Sequence, residues 1–268
     1  MSGRRPAAGG VVVAVLGLGE AGTAISQDLL AAGVTVRGYD PVRSGPAGTV
    51  VTSGDADACA GAGLVLSLTT AHESEAAFRA AAPAVGPAAI YADLNTSSAG
   101  LKQRIADLAG QAGVAFADVA LMSPVPGRGI RTPMLVSGPA AAGVADAINR
   151  LGGKAEVLAG PAGAAATRKL VRSVFYKGLA AAVVESLRAG RAAGCESWLR
   201  DNIAAELAAA GPATLERLEE GSRRHAVRRA DEMAAATALL GELGVPARIA
   251  AASHDWLAQL AQEGGDFP

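Results

Sequence analysis

The chain has 268 residues, of which 50% are hydrophobic and 18% charged, with a formal net charge of −1. Such a composition suits one or two folded domains with a sizeable core and excludes a disordered chain. Charge this close to balance gives no electrostatic case for nucleic acid or an acidic membrane surface as a partner.

No apolar run reaches the roughly 18 residues that a membrane helix requires. The two cysteines, Cys59 and Cys195, stand far apart, with no CxxC or Cys/His ligand spacing. Neither a structural metal nor a disulfide framework is expected, and a reduced, cytoplasmic setting is. Residues 1–10 carry Arg4 and Arg5 and read as a loose tail, because the apolar stretch 11–16 is too short for a signal peptide's core.

Short β-branched runs then alternate with alanine-rich stretches. Strands are expected over 11–16, 34–39, 49–52, 64–68, 89–93, 115–121, 134–137 and 155–158, with helices over 21–32, 74–82, 101–112 and 140–151. Gly33 follows the first helix, where a C-cap favours glycine. Nearly continuous apolar strands between helices imply a mostly parallel sheet covered on both faces. The pattern changes after Gly160. Leu170, Val174, Leu179, Val183, Val184 and Leu187 recur at helical spacing, so one long helix is read over 162–193. Further helices follow over 196–210, 213–240 (with room for a break near Gly221) and 247–262. The fold class is an α/β Rossmann domain, 1–160, followed by an all-α domain, 161–268.

The first strand runs straight into Gly17-Leu18-Gly19-Glu20-Ala21-Gly22, and Asp40 closes the second strand. In that context GxGxxG is a dinucleotide signature. Gly17 permits the tight turn, Gly19 lets the backbone approach a pyrophosphate, and Gly22 allows close helix packing. The helix start offers unpaired N–H groups to the phosphates. Asp40 suits the two adenosine ribose hydroxyls and repels a 2′-phosphate, which favours NAD over NADP. Arg37 and Arg43 flank it. Arg43 could swing onto a 2′-phosphate, and both read equally well as solvated surface arginines. Thr69 and Thr70, after the fourth strand, lie at the sheet end where ligands bind and are assigned to the cofactor site. His72 follows them and is read as a structural or surface histidine.

Four segments resemble the β-hydroxyacid dehydrogenase family, which includes 3-hydroxyisobutyrate, tartronate semialdehyde and 6-phosphogluconate dehydrogenases, with imine reductases as relatives. They are 15–22, the segment 91–98 (Tyr-Ala-Asp-Leu-Asn-Thr-Ser-Ser), the segment 116–124, and Gly160-Pro161-Ala162-Gly163 with Lys169 six residues on. The resemblance implies that Asn95 and Thr96 border the nicotinamide and that Lys169 is the general acid/base. It also implies a homodimer with its active site near the subunit contact.

The substrate half departs from the family. Ser173 stands where the family has an asparagine, Met122 where it has its substrate serine, and Ser123 where it has glycine. Segments 172–178 and 225–233 resemble a bacterial branch with its own type of C-terminal domain.

Helix geometry supports the lysine independently. At about 100° per residue, Ser173 lies roughly 40° from Lys169, Tyr176 roughly −20° and Lys177 roughly 80°, so four polar groups share one stripe. A lysine partly desolvated there would titrate low and could exchange a proton with an alcohol or carbonyl oxygen. The other reading is that Lys169 and Lys177 snorkel to solvent. Arg128 and Arg131, in the turn-rich loop 124–133, suit an acidic substrate or are plain surface arginines. His225, Arg228, Arg229 and Glu232 read as a solvated, salt-bridged face.

The expected function is hydride transfer between NAD(P) and an alcohol or carbonyl, with Lys169, Ser173, Lys177 and Ser123 as the catalytic set. Reduction of a C=N bond is the alternative. Dinucleotide binding without turnover is a third reading, against which the lysine argues.

Overall fold

The computed structural model describes residues 10–263. Eight strands form one sheet in the order β3-β2-β1-β4-β5-β6-β7-β8. They are β1 (Val12–Leu16), β2 (Thr35–Tyr39), β3 (Val50–Val51), β4 (Leu64–Ser67), β5 (Ile90–Asp93), β6 (Ala115–Leu121), β7 (Pro133–Ser137) and β8 (Lys154–Val157). All pairs are parallel except β6–β7. The antiparallel pair follows from the connection, which returns through the turn-rich loop and no crossover helix.

The helices on this sheet are α1 (Glu20–Ala31), α2 (Asp55–Cys59), α3 (Ser74–Ala81), α4 (Ala99–Gln111) and α5 (Ala141–Arg150). β1 illustrates why the apolar runs are nearly continuous. Val13 and Val15 enter the core shared with α1 and α5. Ala14 and Leu16 enter the opposite core, where Phe78, Tyr91 and Phe116 pack. There the Phe78 and Tyr91 rings meet edge to face at 5.1 Å. Both faces are therefore dry, as a parallel sheet requires.

The remaining helices are α6 (Ala164–Ala192), α7 (Glu196–Ala209), α8 (Pro212–Arg224), α9 (Ala226–Glu242) and α10 (Arg248–Glu263). The helix read over 213–240 is thus two helices, and they meet at His225, not Gly221. His225 leaves helical geometry, with φ −117° and ψ 28°. α2 was not foreseen; its five residues are too few to show a period.

By contact the chain divides into two compact units, 1–172 and 173–268. The opening turns of α6 go with the sheet, and the rest goes with the other helices. The second unit is built from small residues: Ala226, Ala230, Leu240 and Ala250 are its buried apolar positions on α9 and α10. Glu185 anchors α10 by accepting the N–H groups of Arg248, Ile249 and Ala250 at 2.7, 2.8 and 2.8 Å. Among the described residues no helix is long and apolar enough to cross a membrane.

Candidate functional site

The glycine loop joins β1 to α1 at the carboxyl ends of the strands, where the chain switches direction between β1 and β4. Gly17 sits at φ +89°, and a Cβ there would collide with the Leu68 carbonyl. Its N–H donates to the Tyr39 carbonyl at 2.8 Å. A Cβ on Gly22 would run into the Gly17 carbonyl oxygen. Gly19 is different: nothing lies within 4 Å of where its Cβ would be. It also starts α1 with no side-chain cap. No side chain caps the first turn of α1 and the space at Gly19 is open, which is the condition an anion needs.

Asp40 faces this loop. One carboxylate oxygen accepts the Leu18 N–H at 2.8 Å; the other accepts those of Val42 and Arg43 at 2.9 and 3.0 Å. These bonds fix the carboxylate's direction and leave lone pairs for a diol. A cleft of about 670 Å³ runs past Gly17, Gly19, Asp40, Arg43, Thr69 and Thr70. Loop, helix start, acid and cleft fit a dinucleotide. Glu20 and Ala21 open α1 directly after Gly19, and Glu20 is exposed.

Two strand positions away, β5 and β6 end in a buried polar cluster. Lys102, on α4, is completely buried. Its ammonium donates to the Asp93 carbonyl at 2.7 Å and lies 3.2 Å from the Asp93 and 3.1 Å from the Asp118 carboxylate. The second oxygen of Asp118 accepts the N–H groups of Gly163 and Ala166 at 3.1 and 3.0 Å. Ser137 Oγ accepts that of Ala165 at 3.0 Å. Two side chains distant in sequence thus cap α6. Gly163, at φ +95°, can take this turn only as glycine, since a Cβ would also meet the Ala99 carbonyl at 2.7 Å.

One turn further, Lys169 Nζ donates to Thr96 Oγ1 at 2.7 Å. Asn95, Thr96, Ser97 and Asp118 share a narrow crevice with it. Burial and the nearby Lys102 ammonium pull the Lys169 amine below its ordinary range, and Asp118 opposes them. The Asn95 Oδ1 and Ser97 Oγ atoms are buried without a hydrogen-bond partner among the described residues.

Gly17 to Gly22, Asp40, Thr69, Thr70, Asn95, Thr96 and Lys169 therefore stand along the carboxyl edge of one sheet. Ser123 follows β6, with its Oγ buried and lacking a hydrogen-bond partner among the described residues. Ser173 and Lys177 continue α6 but belong to the second unit.

Arg37 is engaged elsewhere, binding the Asp57 carboxylate at 2.8 Å and the carbonyls of Asp57 and Ala58. Arg131 lies 3.7 Å from Asp28 on α1. His72 pairs with Glu73 at 2.7 Å on the surface. Arg228 pairs with Glu232, and Arg229 donates to Ser222. Lys102 is the residue that sequence reasoning missed. The available signal was its register: Lys102, Ile105 and Ala109 share the buried face of α4.

Residues 12–142 match the family described as the NAD-binding domain of 6-phosphogluconate dehydrogenase, and residues 191–260 match a domain of unknown function, DUF1932. The first unit is thus an NAD-binding domain of the 6-phosphogluconate dehydrogenase type. The chain joins an NAD-binding domain of this type to a DUF1932 domain.

Similar solved structures include a conserved protein of unknown function described as structurally similar to 3-hydroxyacid dehydrogenases. It is 26% identical, with a TM-score of 0.58 over 95% of this chain and 99% of that one. An imine reductase from Myxococcus stipitatus in complex with NAD+ is 18% identical, with a TM-score of 0.75 over 95% and 94%. A reductive aminase from Aspergillus terreus, in a complex containing NADPH4, is 20% identical, with a TM-score of 0.77 over 95% and 95%. No curated protein matches.

The Gly22 contact generates a prediction. Gly22→Ala forces its methyl against the Gly17 carbonyl, so the loop must open. The variant is expected to lose about 1–3 kcal/mol in urea unfolding, in the range of overpacked sites. Calorimetry with NADH should show binding lost as well.

Proposed function

We propose that the chain is an NAD(P)-dependent oxidoreductase that moves a hydride between nicotinamide and an alcohol or carbonyl substrate, a hydroxyacid, with Lys169 as general acid/base. The observation that carries this reading is the half-buried Lys169 amine, held by Thr96 on the same sheet edge as the glycine loop.

When bound, the dinucleotide accepts or supplies the hydride. The chain's own residues do the rest. Backbone N–H groups of residues 19–22 hold the pyrophosphate, Asp40 the ribose, and Thr69, Thr70, Asn95 and Thr96 line the path to the reacting end. In the oxidation direction the neutral Lys169 amine takes the hydroxyl proton as the hydride leaves carbon. In reduction its ammonium returns a proton to the carbonyl oxygen. Ser123 and Ser173 are assigned to orienting the substrate, and Lys177 is the second amine on the stripe. Residues 1–160 serve the cofactor and 161–268 the substrate and the subunit contact, in a cytoplasmic enzyme.

A second reading is reduction of a C=N bond. It is favoured by Met122 and Ser173, which replace the serine and asparagine that the family resemblance assigns to holding a hydroxyacid.

Panels of hydroxyacids, ketoacids and cyclic imines, followed by NAD(P)H fluorescence, separate the two readings. With the substrate so found, Lys169→Met should lower kcat by about 10²–10⁴-fold, the usual contribution of a positioned proton carrier. Cofactor affinity should stay near wild type. The oxidation rate should rise with pH through the lowered titration of Lys169, below the ~10.4 of a free lysine, because only the neutral amine accepts a proton. The reduction rate should fall through the same pH. A Lys169→Met enzyme of normal kcat whose Lys177→Met counterpart is dead would move the acid/base two turns along α6.

Cofactor choice follows from Asp40. Calorimetry should find NADH bound more tightly than NADPH; equal or reversed affinities would transfer the decision to Arg43.

The proposal includes a homodimer. In the second unit Val174 is 76% exposed, Trp198 66% and Leu215 65%, large apolar surface that a small-residue core leaves uncovered. Light scattering at micromolar concentration should return twice the 26.5 kDa chain mass; a monomer would refute it.

A further inference from the structure

Lys102 has no part in the reaction as described, yet both partners of the Lys169–Thr96 hydrogen bond depend on it. Its ammonium sits between the Asp93 and Asp118 carboxylates, at 3.2 and 3.1 Å. Each carboxylate has a second oxygen with a separate role. That of Asp93 accepts the backbone N–H and side-chain amide of Asn95 at 3.0 and 2.7 Å, which shapes the turn presenting Thr96. That of Asp118 accepts the Gly163 and Ala166 N–H groups, which sets the start of α6 one turn ahead of Lys169. We propose that Lys102 is a positioning residue for Lys169: by tying Asp93 to Asp118 it holds the Lys169 amine against Thr96 and sets the charge that this amine faces. The proposal rests on the reading of Lys169 as the proton carrier.

Charge and geometry agree. Among the groups around Lys169 are Lys102 from α4, Asp118 from β6 and Thr96 from the turn after β5, and Asp93 in turn contacts Lys102. Arg168 adjoins it and Arg172 follows on its own helix. Lys102 disfavours a proton on Lys169, and Asp118 favours one. A second ammonium buried close by is a fixed, water-excluded field that solvent does not screen. A purely structural Lys102 would lower stability when removed but leave the titration of Lys169 where it was.

The test needs no substrate. The full-length chain, free of cofactor, is pulse-labelled with acetic anhydride across a pH series. Mass spectrometry reads acetylation of Lys169 against the exposed Lys154 in the same molecule. In wild type Lys169 should label with a midpoint below that of Lys154. In Lys102→Met the midpoint should move to higher pH, and in Asp118→Asn to lower pH. Opposite movements support the proposal. Unmoved midpoints, or movement in one direction for both, overturn it. Should Lys102→Met fail to fold by circular dichroism, Asp118→Asn decides: a lower midpoint supports the proposal, and a wild-type midpoint overturns it. If the shifts hold while Lys169→Met turns over normally, the catalytic reading fails and the arrangement of charges stands.

Discussion

The site hangs on one buried charge. Lys102 has no solvent exposure, and a lone ammonium taken from water would lose its proton or unfold the chain. It persists because the carbonyl and carboxylate of Asp93, at the end of β5, and the carboxylate of Asp118, on β6, surround it. Removing one partner of such a group typically costs about 3–5 kcal/mol, because the charge left behind has no water to turn to. The same arrangement gives it reach: through Asp93 it holds the end of β5, and through Asp118 it holds the start of α6.

Two helix N-termini meet the carboxyl edge of the sheet and are treated in opposite ways. α6 has its first N–H groups filled by Asp118 and Ser137. α1 begins on a glycine with no side-chain cap and open space before it. A helix start without protein partners is unfavourable unless water or an anion supplies them. The filled terminus makes a rigid mount for Lys169, and the open one leaves room for phosphate. The difference between anchoring and binding lies in which orphan donors the chain satisfies for itself.

The second unit follows another logic. Its helices are rich in alanine, so they approach closely but bury little apolar area each. Large side chains such as Trp198 and Trp256 remain outward in the single chain. Glu185 compensates locally by tying α10 to the last third of α6 with three backbone N–H bonds. Isolated burial of this kind is weak, which is the physical ground for expecting a second copy to complete it.

Much of this was legible in residue order. The strand Val12–Leu16 running into Gly17 and Gly22 states a local requirement, since the turn at the one and the close packing at the other admit only glycine, and local requirements can be read from neighbours in sequence. The same holds for the apolar alternation that produces a sheet covered on both faces, and for the long helix bearing Lys169. The break at His225 was less legible, because Gly221 is the stronger breaker by propensity and tertiary packing overrode it. The role of Lys102 could not be read at all beyond its register with Ile105 and Ala109. Its partners lie 9 and 16 positions away in sequence, and the helix start they govern lies beyond residue 160. A charge buried at a site is stable only through groups that folding brings together, so sequence set the elements and the glycine loop. The tertiary structure alone decided which carboxylates meet Lys102, which N–H groups Asp118 caps, and where the Lys169 amine comes to rest.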